Sequence, residues 1–157
     1  MAKLLETVFM ERKPLVDRAA GKIKGVKLLG RESKNKRRYG DKALESAARL
    51  YVGAKNYVNH DRSEGGLAER GMEEWASVIE RAWVEQDGVY GDLDMRQKSP
   101  HYESLMEAAE RFYKHCGMSH VADGDSRMDG EIEFVEDVTD VVSVDFVTSP
   151  ATTRGMS

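Results

Sequence analysis

Apolar and polar positions follow two rhythms along this chain, strict alternation in some stretches and helical spacing in others, with glycines and prolines near the changeovers. Gly21 to Gly30, GKIKGVKLLG, alternates Lys22 and Lys24 with Ile23, then runs apolar through Val26, Leu28 and Leu29, which predicts a strand. The polar, basic RESKNKRRYG reads as a loop. From Asp41 to Val52, the spacing of Leu44, Ala47, Ala48 and Tyr51 predicts an amphipathic helix with Asp41 as its N-cap. KNYVNH carries Tyr57 and Val58 and predicts a short strand ending at His60, before the polar loop DRSEGGLAERG. Met72 to Glu85 fits both rhythms, but Asp87-Gly88 is a hairpin signal with VYGDLDM as the returning strand, so a strand is expected over at least Val78 to Gln86. Ser99-Pro100 then offers an N-cap followed by proline at the first helical position. Leu105, Ala108, Ala109 and Phe112 repeat the helical spacing, and Gly117 suits the C′ position. Beyond it, GMSHVA reads as a short strand, Asp123-Gly124 and Asp129-Gly130 as turns, and EIEFVEDV as the approach to a last strand. The expectation is one α+β domain of about six strands and two helices, its turn signals spaced as in a small barrel.

The last strand stands out chemically. Val138 to Gly155, VTDVVSVDFVTSPATTRG, opens Val-rich in the manner of a strand buried on both faces and closes on Ser149-Pro150, where proline ends the ladder. Ser143 sits in the middle of this apolar run. A buried hydroxyl without a partner costs about 1–3 kcal/mol, so the residue is either a satisfied core serine or a nucleophile presented from a rigid strand.

Composition narrows the class. The 157 residues are 33% charged and 40% hydrophobic, which suits one globular domain and leaves no apolar run long enough to span a bilayer. The start, MAKLLETVFMERK, gains charge too quickly for a secretory signal. A single cysteine, Cys116, excludes an internal disulfide framework and suits a reducing compartment. A net charge of -4 argues against a general nucleic-acid binder. The charge is uneven: the segment from Lys22 to Arg38 is strongly basic and Asp123 to Asp145 is acidic. SKNKRRY offers only Tyr39 as a stacking platform, so a solvated loop or a site for an acidic peptide is a better reading than a nucleic-acid site.

Of the four histidines, His60 ends a predicted strand at the mouth of a loop, a place where a ring is held by scaffold yet reaches solvent. His120 lies within a predicted strand, sharing a face with Met118 while Ser119 points the other way, so a hydrogen-bonded core histidine is the competing reading. His101 and His115 bracket the second helix as surface residues. His115, Cys116 and His120, with His60, could be considered as metal ligands, but their spacing matches no closed zinc pattern. Phosphate-binding glycine loops are absent.

GVKLLGRESKNKRRY, YVNH, DGVYGDL, GMSH and SVDFVTSPATTRG, taken together and in this order, resemble the prohead (capsid maturation) proteases of tailed bacteriophages, whose fold is shared with the herpesvirus assemblins. The likeness runs from about Gly25 to Gly155. It implies a serine endopeptidase on a compact assemblin-like β-barrel flanked by helices, one protease domain over 1–157. Many relatives carry a scaffold-like extension after this domain, and the expectation is a chain without one. By the same resemblance His60 is the general base and Ser143 the nucleophile, with no cofactor. Assemblins place a second histidine after the serine, and here no histidine follows His120. His120 is the favoured third member, with Asp145, on the strand face of Ser143, and an upstream aspartate such as Asp41 left open. The implied substrates are the scaffolding protein and the extension of the major capsid protein, and the protease itself, inside an assembling prohead in the host cytoplasm. Self-association is implied, whereas a membrane or a specific nucleic acid is not. Cleavage after acidic residues, known in part of the family, would match the charge of Arg37 and Arg38. A catalytically inactive assembly protein of the same fold is the alternative.

Overall fold

Alternation of buried and exposed positions organises two five-stranded sheets in the computed structural model, which describes residues 1–58 and 71–149. In chain order the strands are β1 (Ala2–Phe9), β2 (Leu15–Asp17), β3 (Lys22–Gly30), β4 (Glu32–Ser33) and β5 (Arg37–Tyr39), then β6 (Lys55–Tyr57), β7 (Trp75–Glu85), β8 (Gly88–Met95), β9 (Cys116–Asp129) and β10 (Ile132–Thr148). Helix α1 (Asp41–Tyr51) follows β5, and α2 (Tyr102–Arg111) follows β8. One sheet runs β1-β9-β10-β5-β4, the other β2-β3-β8-β7-β6. All pairings are antiparallel except β5 with β10.

The first sheet curls until its two edges meet. β1 and the β4-β5 hairpin are opposite edges of that sheet, yet Glu6 of β1 accepts hydrogen bonds from Ser33 Oγ at 2.5 Å, Arg37 Nη1 at 3.1 Å and Tyr39 Oη at 2.7 Å. Asn35 Nδ2 adds a bond to the Leu5 carbonyl at 2.9 Å. Side chains therefore close the half-barrel where no backbone ladder does. Inside it and between the sheets lie Leu4, Ile23, Leu28, Leu29, Ile79, Leu93 and Met118, all buried. Helix α1 buries Ala43, Leu44, Ala47, Ala48 and Tyr51, and packs against β10 and β7.

The α+β class, both helices and the strands around Lys22, Trp75, Gly88, Cys116 and Ile132 follow the sequence expectation. The strand number does not: ten strands are present among the described residues, against about six expected. Ala2–Phe9 gave no strand signal that its charges did not blur, and the basic stretch read as a loop holds β4 and β5. Asp123-Gly124 is no turn but the interior of β9, where a Cβ on Gly124 would lie 2.4 Å from the Asp137 carbonyl oxygen. Gly117 likewise sits in β9, not at a helix end: a Cβ there would meet the Val8 carbonyl oxygen at 2.3 Å. Close strand approach, and not turn formation, explains both glycines. Gly40 rather than Asp41 precedes the first helical residue, and Ser99 Oγ accepts from the His101 N–H at 3.1 Å in a turn ahead of α2.

Candidate active site

Ser143 owes its setting to β10, a 17-residue strand too long to stay in uniform register with the 14 residues of β9. Register shifts fall between Val135 and Asp137, Val138 and Asp140, and Val141 and Ser143. Such bulges re-aim the side chains that follow them. After the last one, Ser143 pairs with Val121, Val144 with His120 and Asp145 with Ser119. Residues directly opposite one another share a sheet face. Ser143, Asp145, Ser119 and Val121 thus occupy one face, and Val144 and His120 the other.

On the first face, Ser143 is 7% exposed, and among the described residues nothing is hydrogen-bonded to its Oγ. Asp145, two positions on, is fully buried, and the Tyr57 N–H donates to its Oδ1 at 3.2 Å. Beside them, Thr7 Oγ1 donates to Ser119 Oγ at 3.3 Å. Strand β6 is tied to the same stretch by Asn56, whose Nδ2 donates to the Val144 carbonyl at 2.9 Å. An apolar cavity of about 290 Å3 opens past the end of this strand, lined among others by Val26, Val58, Leu105, Phe146 and Val147.

His120 belongs to the opposite face and points into the barrel. Its Nδ1 shares a 2.6 Å hydrogen bond with Tyr51 Oη, and its Nε2 has no partner among the described residues. Desolvation pulls its pKa down to about 4, Glu6 opposing this and Arg37 adding to it, so the ring is neutral near pH 7. β9 and β10 are neighbours in one sheet, but their register places His120 and Ser143 on opposite faces of it. A shift of one residue along a strand moves a side chain to the other face. Asp41 is also displaced, since it sits exposed at the start of α1 and pairs with Arg31 at 2.8 Å. His60 lies outside the described residues, as do Thr152, Thr153 and Arg154, which follow β10 in the chain. Strand β6 ends at Tyr57.

The other candidate chemistry resolves differently. Among the described residues no group of three or more His, Cys, Asp or Glu is placed to share a metal ion. Cys116 donates to the Phe112 carbonyl at 3.4 Å and burial raises its pKa, so its thiol is unreactive near neutrality. Arg37 is committed to ion pairs with Glu6 at 3.1 Å and Glu133 at 2.8 Å, and Arg38 to Glu32 at 2.8 Å. Lys34, Lys36 and Arg38 are the exposed cations of that hairpin, and of these Arg38 is the one held in an ion pair among the described residues.

No protein-family model matches this chain, and no curated protein matches it. A solved structure does. The bacteriophage T4 capsid assembly protease, gp21, superposes with a TM-score of 0.65 over 94% of this chain and 98% of that one, at 20% identity. The fold is that of a phage capsid assembly protease. Within that capsid-protease fold, the assemblin-like architecture expected from five short motifs is present at an identity too low for the sequence as a whole to show it. Sequence reasoning missed Asn56 and the Tyr57 N–H, because KNYVNH was read for its apolar residues. The signal that could have found them is an amide side chain inside a strand, a costly residue to bury without a purpose. Among the described residues no helix is long and apolar enough to cross a membrane.

Proposed function

We propose that this chain is a serine endopeptidase of prohead maturation, with Ser143 as nucleophile, His60 as general base and Asp145 as the group that orients the base. The observation that carries this reading is a buried serine hydroxyl, unpartnered among the described residues, two positions from a fully buried carboxylate on the same sheet face. A native fold retains such a hydroxyl at a stability cost, which function can repay. His60 follows Tyr57 by three residues, a tether of at most about 11 Å from the residue whose N–H holds Asp145. Asp145 replaces His120 as the third member because its side chain shares the face of Ser143.

In this mechanism His60 takes the Ser143 Oγ proton as Oγ attacks the scissile carbonyl, forming the tetrahedral adduct, and returns it to the leaving amine; water then hydrolyses the acyl-enzyme. A buried carboxylate beside the imidazole fixes its tautomer and stabilises the imidazolium. The substrates are the scaffolding protein and the extension of the major capsid protein, and the chain itself. They meet the enzyme inside assembling proheads in the host cytoplasm, where self-association would raise local concentration.

Incubating the wild type and Ser143→Ala with the scaffolding and major capsid proteins of the same genome, and reading masses, tests this. Truncation with the wild type alone is expected. Truncation by both preparations removes Ser143 from the mechanism. Truncation by neither, with capsid assembly intact, is the outcome of a catalytically inactive assembly protein of the same fold.

A further inference from the structure

Strand β6 belongs to one sheet and β10 to the other, yet the two are in contact at the stretch that carries Ser143 and Asp145. Asn56 makes the junction. It is fully buried, donates through Nδ2 to the Val144 carbonyl at 2.9 Å, and accepts at Oδ1 from the Ser77 hydroxyl at 2.7 Å. Val144 is the residue between Ser143 and Asp145. The next N–H along β6, that of Tyr57, donates to Asp145 Oδ1. One dipeptide thus grips both the backbone and the carboxylate of the candidate site.

An apolar residue at position 56 would pack a strand interior at lower cost, because a buried amide is tolerated only when both its ends are bonded. Here both are. The Asn56 amide does what a backbone ladder does elsewhere, but across a gap between sheets, and Ser77 fixes which end of the amide faces β10. Fixing the backbone at Val144 fixes the separation and orientation of the two flanking side chains, which alternate from that one carbonyl. We propose that Asn56, oriented by Ser77, is a positioning residue that holds the Ser143–Asp145 strand segment in its reactive register. The inference rests on the serine peptidase reading. A group supported by packing and hydrogen bonds of this kind is what keeps a constellation within the tolerance that catalysis needs.

A fluorophosphonate probe tests this without a known substrate, since an activated Ser143 Oγ bonds to phosphorus with loss of fluoride and transfers its proton to the base. With the wild type labelled and Ser143→Ala blank, Asn56→Ala is expected to lower the limiting labelling rate kinact at least tenfold with KI unchanged. Ser77→Ala should lower kinact less, and Ser77→Thr, which keeps the hydroxyl, should retain most of it. Leu93→Ala, a core truncation in β8, serves as the control for destabilisation alone and should keep the wild-type kinact at temperatures where it is folded. Should Asn56→Ala label at the wild-type rate, or should Leu93→Ala lose as much, the positioning role is overturned while the peptidase reading stands. If Asn56→Ala does not fold, the contrast between Ser77→Ala and Ser77→Thr decides in the same way. An unlabelled wild type, by contrast, overturns the peptidase reading and this inference with it.

Discussion

Ser143 is held where its hydroxyl has no partner among the described residues, and a group of that kind weakens the fold it serves. Ser143→Ala removes the orphan and leaves the strand unchanged. The substitution should therefore abolish cleavage while raising stability by about 1–3 kcal/mol, because the desolvation cost of the hydroxyl disappears. Urea unfolding of both proteins checks this, and a destabilised alanine variant would mean that the hydroxyl is bonded in solution. Asp145→Asn should keep the Tyr57 bond yet cut kcat by about 10⁴, as an amide favours the wrong imidazole tautomer. His120 titrates the other way. Its folded pKa of about 4 lies below the ordinary value of 6.5, so the unfolded chain binds the proton first. Its contribution is fully present above about pH 6.5 and is lost as pH falls towards 4, a change on the order of 3 kcal/mol. His120→Gln should flatten the unfolding free energy across that window, and an unaltered pH dependence would assign the acid lability elsewhere. At this scale the unusual setting of the Ser143 hydroxyl was legible, because a hydroxyl within a valine run breaks a packing rule. Which residue shares the face of Ser143 was not legible in the same way. Choosing between His120 and Asp145 needs the register of two strands, and bulges between Val135 and Ser143 set that register.

The β9-β10 hairpin shows the same limit over a whole element. Alternation and the Asp129-Gly130 turn were readable, and Gly130 does take the left-handed conformation, φ 65°. The length was not readable, since Asp123-Gly124 carries a turn signature while lying inside the strand. The bulges also place like charges opposite one another: Asp125 pairs with Asp137, and Asp123 with Asp140. Directly opposed like charges weaken a sheet. Replacing exposed Asp140 with Lys turns one repulsion into an attraction, and should stabilise the protein by about 0.5–1 kcal/mol. The gain should shrink at high salt, where exposed charges are screened, and urea unfolding at two ionic strengths measures both effects.

Closure of the first sheet is a property of the whole molecule, and it changes the meaning of the basic stretch. From sequence, SKNKRRY is a solvated, positively charged loop suited to acidic substrates. In the fold its middle clasps β1 through Asn35 and its end enters the barrel through Arg37 and Tyr39, where burial and the neighbouring Glu6 raise the tyrosine pKa. Reversing charge at Arg37 would strand Glu6 and Glu133 and unfold the barrel before it could report on substrate; breaking a buried pair costs about 3–5 kcal/mol. Lys34 and Lys36 are the useful probes. Leu5, Val121 and Ser143 lie in register across β1, β9 and β10, so Leu5, to which Asn35 fastens the hairpin tip, stands about 10 Å from Ser143. That distance is close to the screening length at physiological salt, near enough to steer a charged peptide. Replacing Lys34 and Lys36 together with Glu should lower kcat/KM for peptides with an acidic residue at the cleavage site roughly 3- to 10-fold, mainly through KM, with unchanged unfolding free energy. The effect should fade as salt rises. An unchanged kcat/KM at low salt would show that the hairpin tip serves the closure of the barrel and takes no part in selecting substrate.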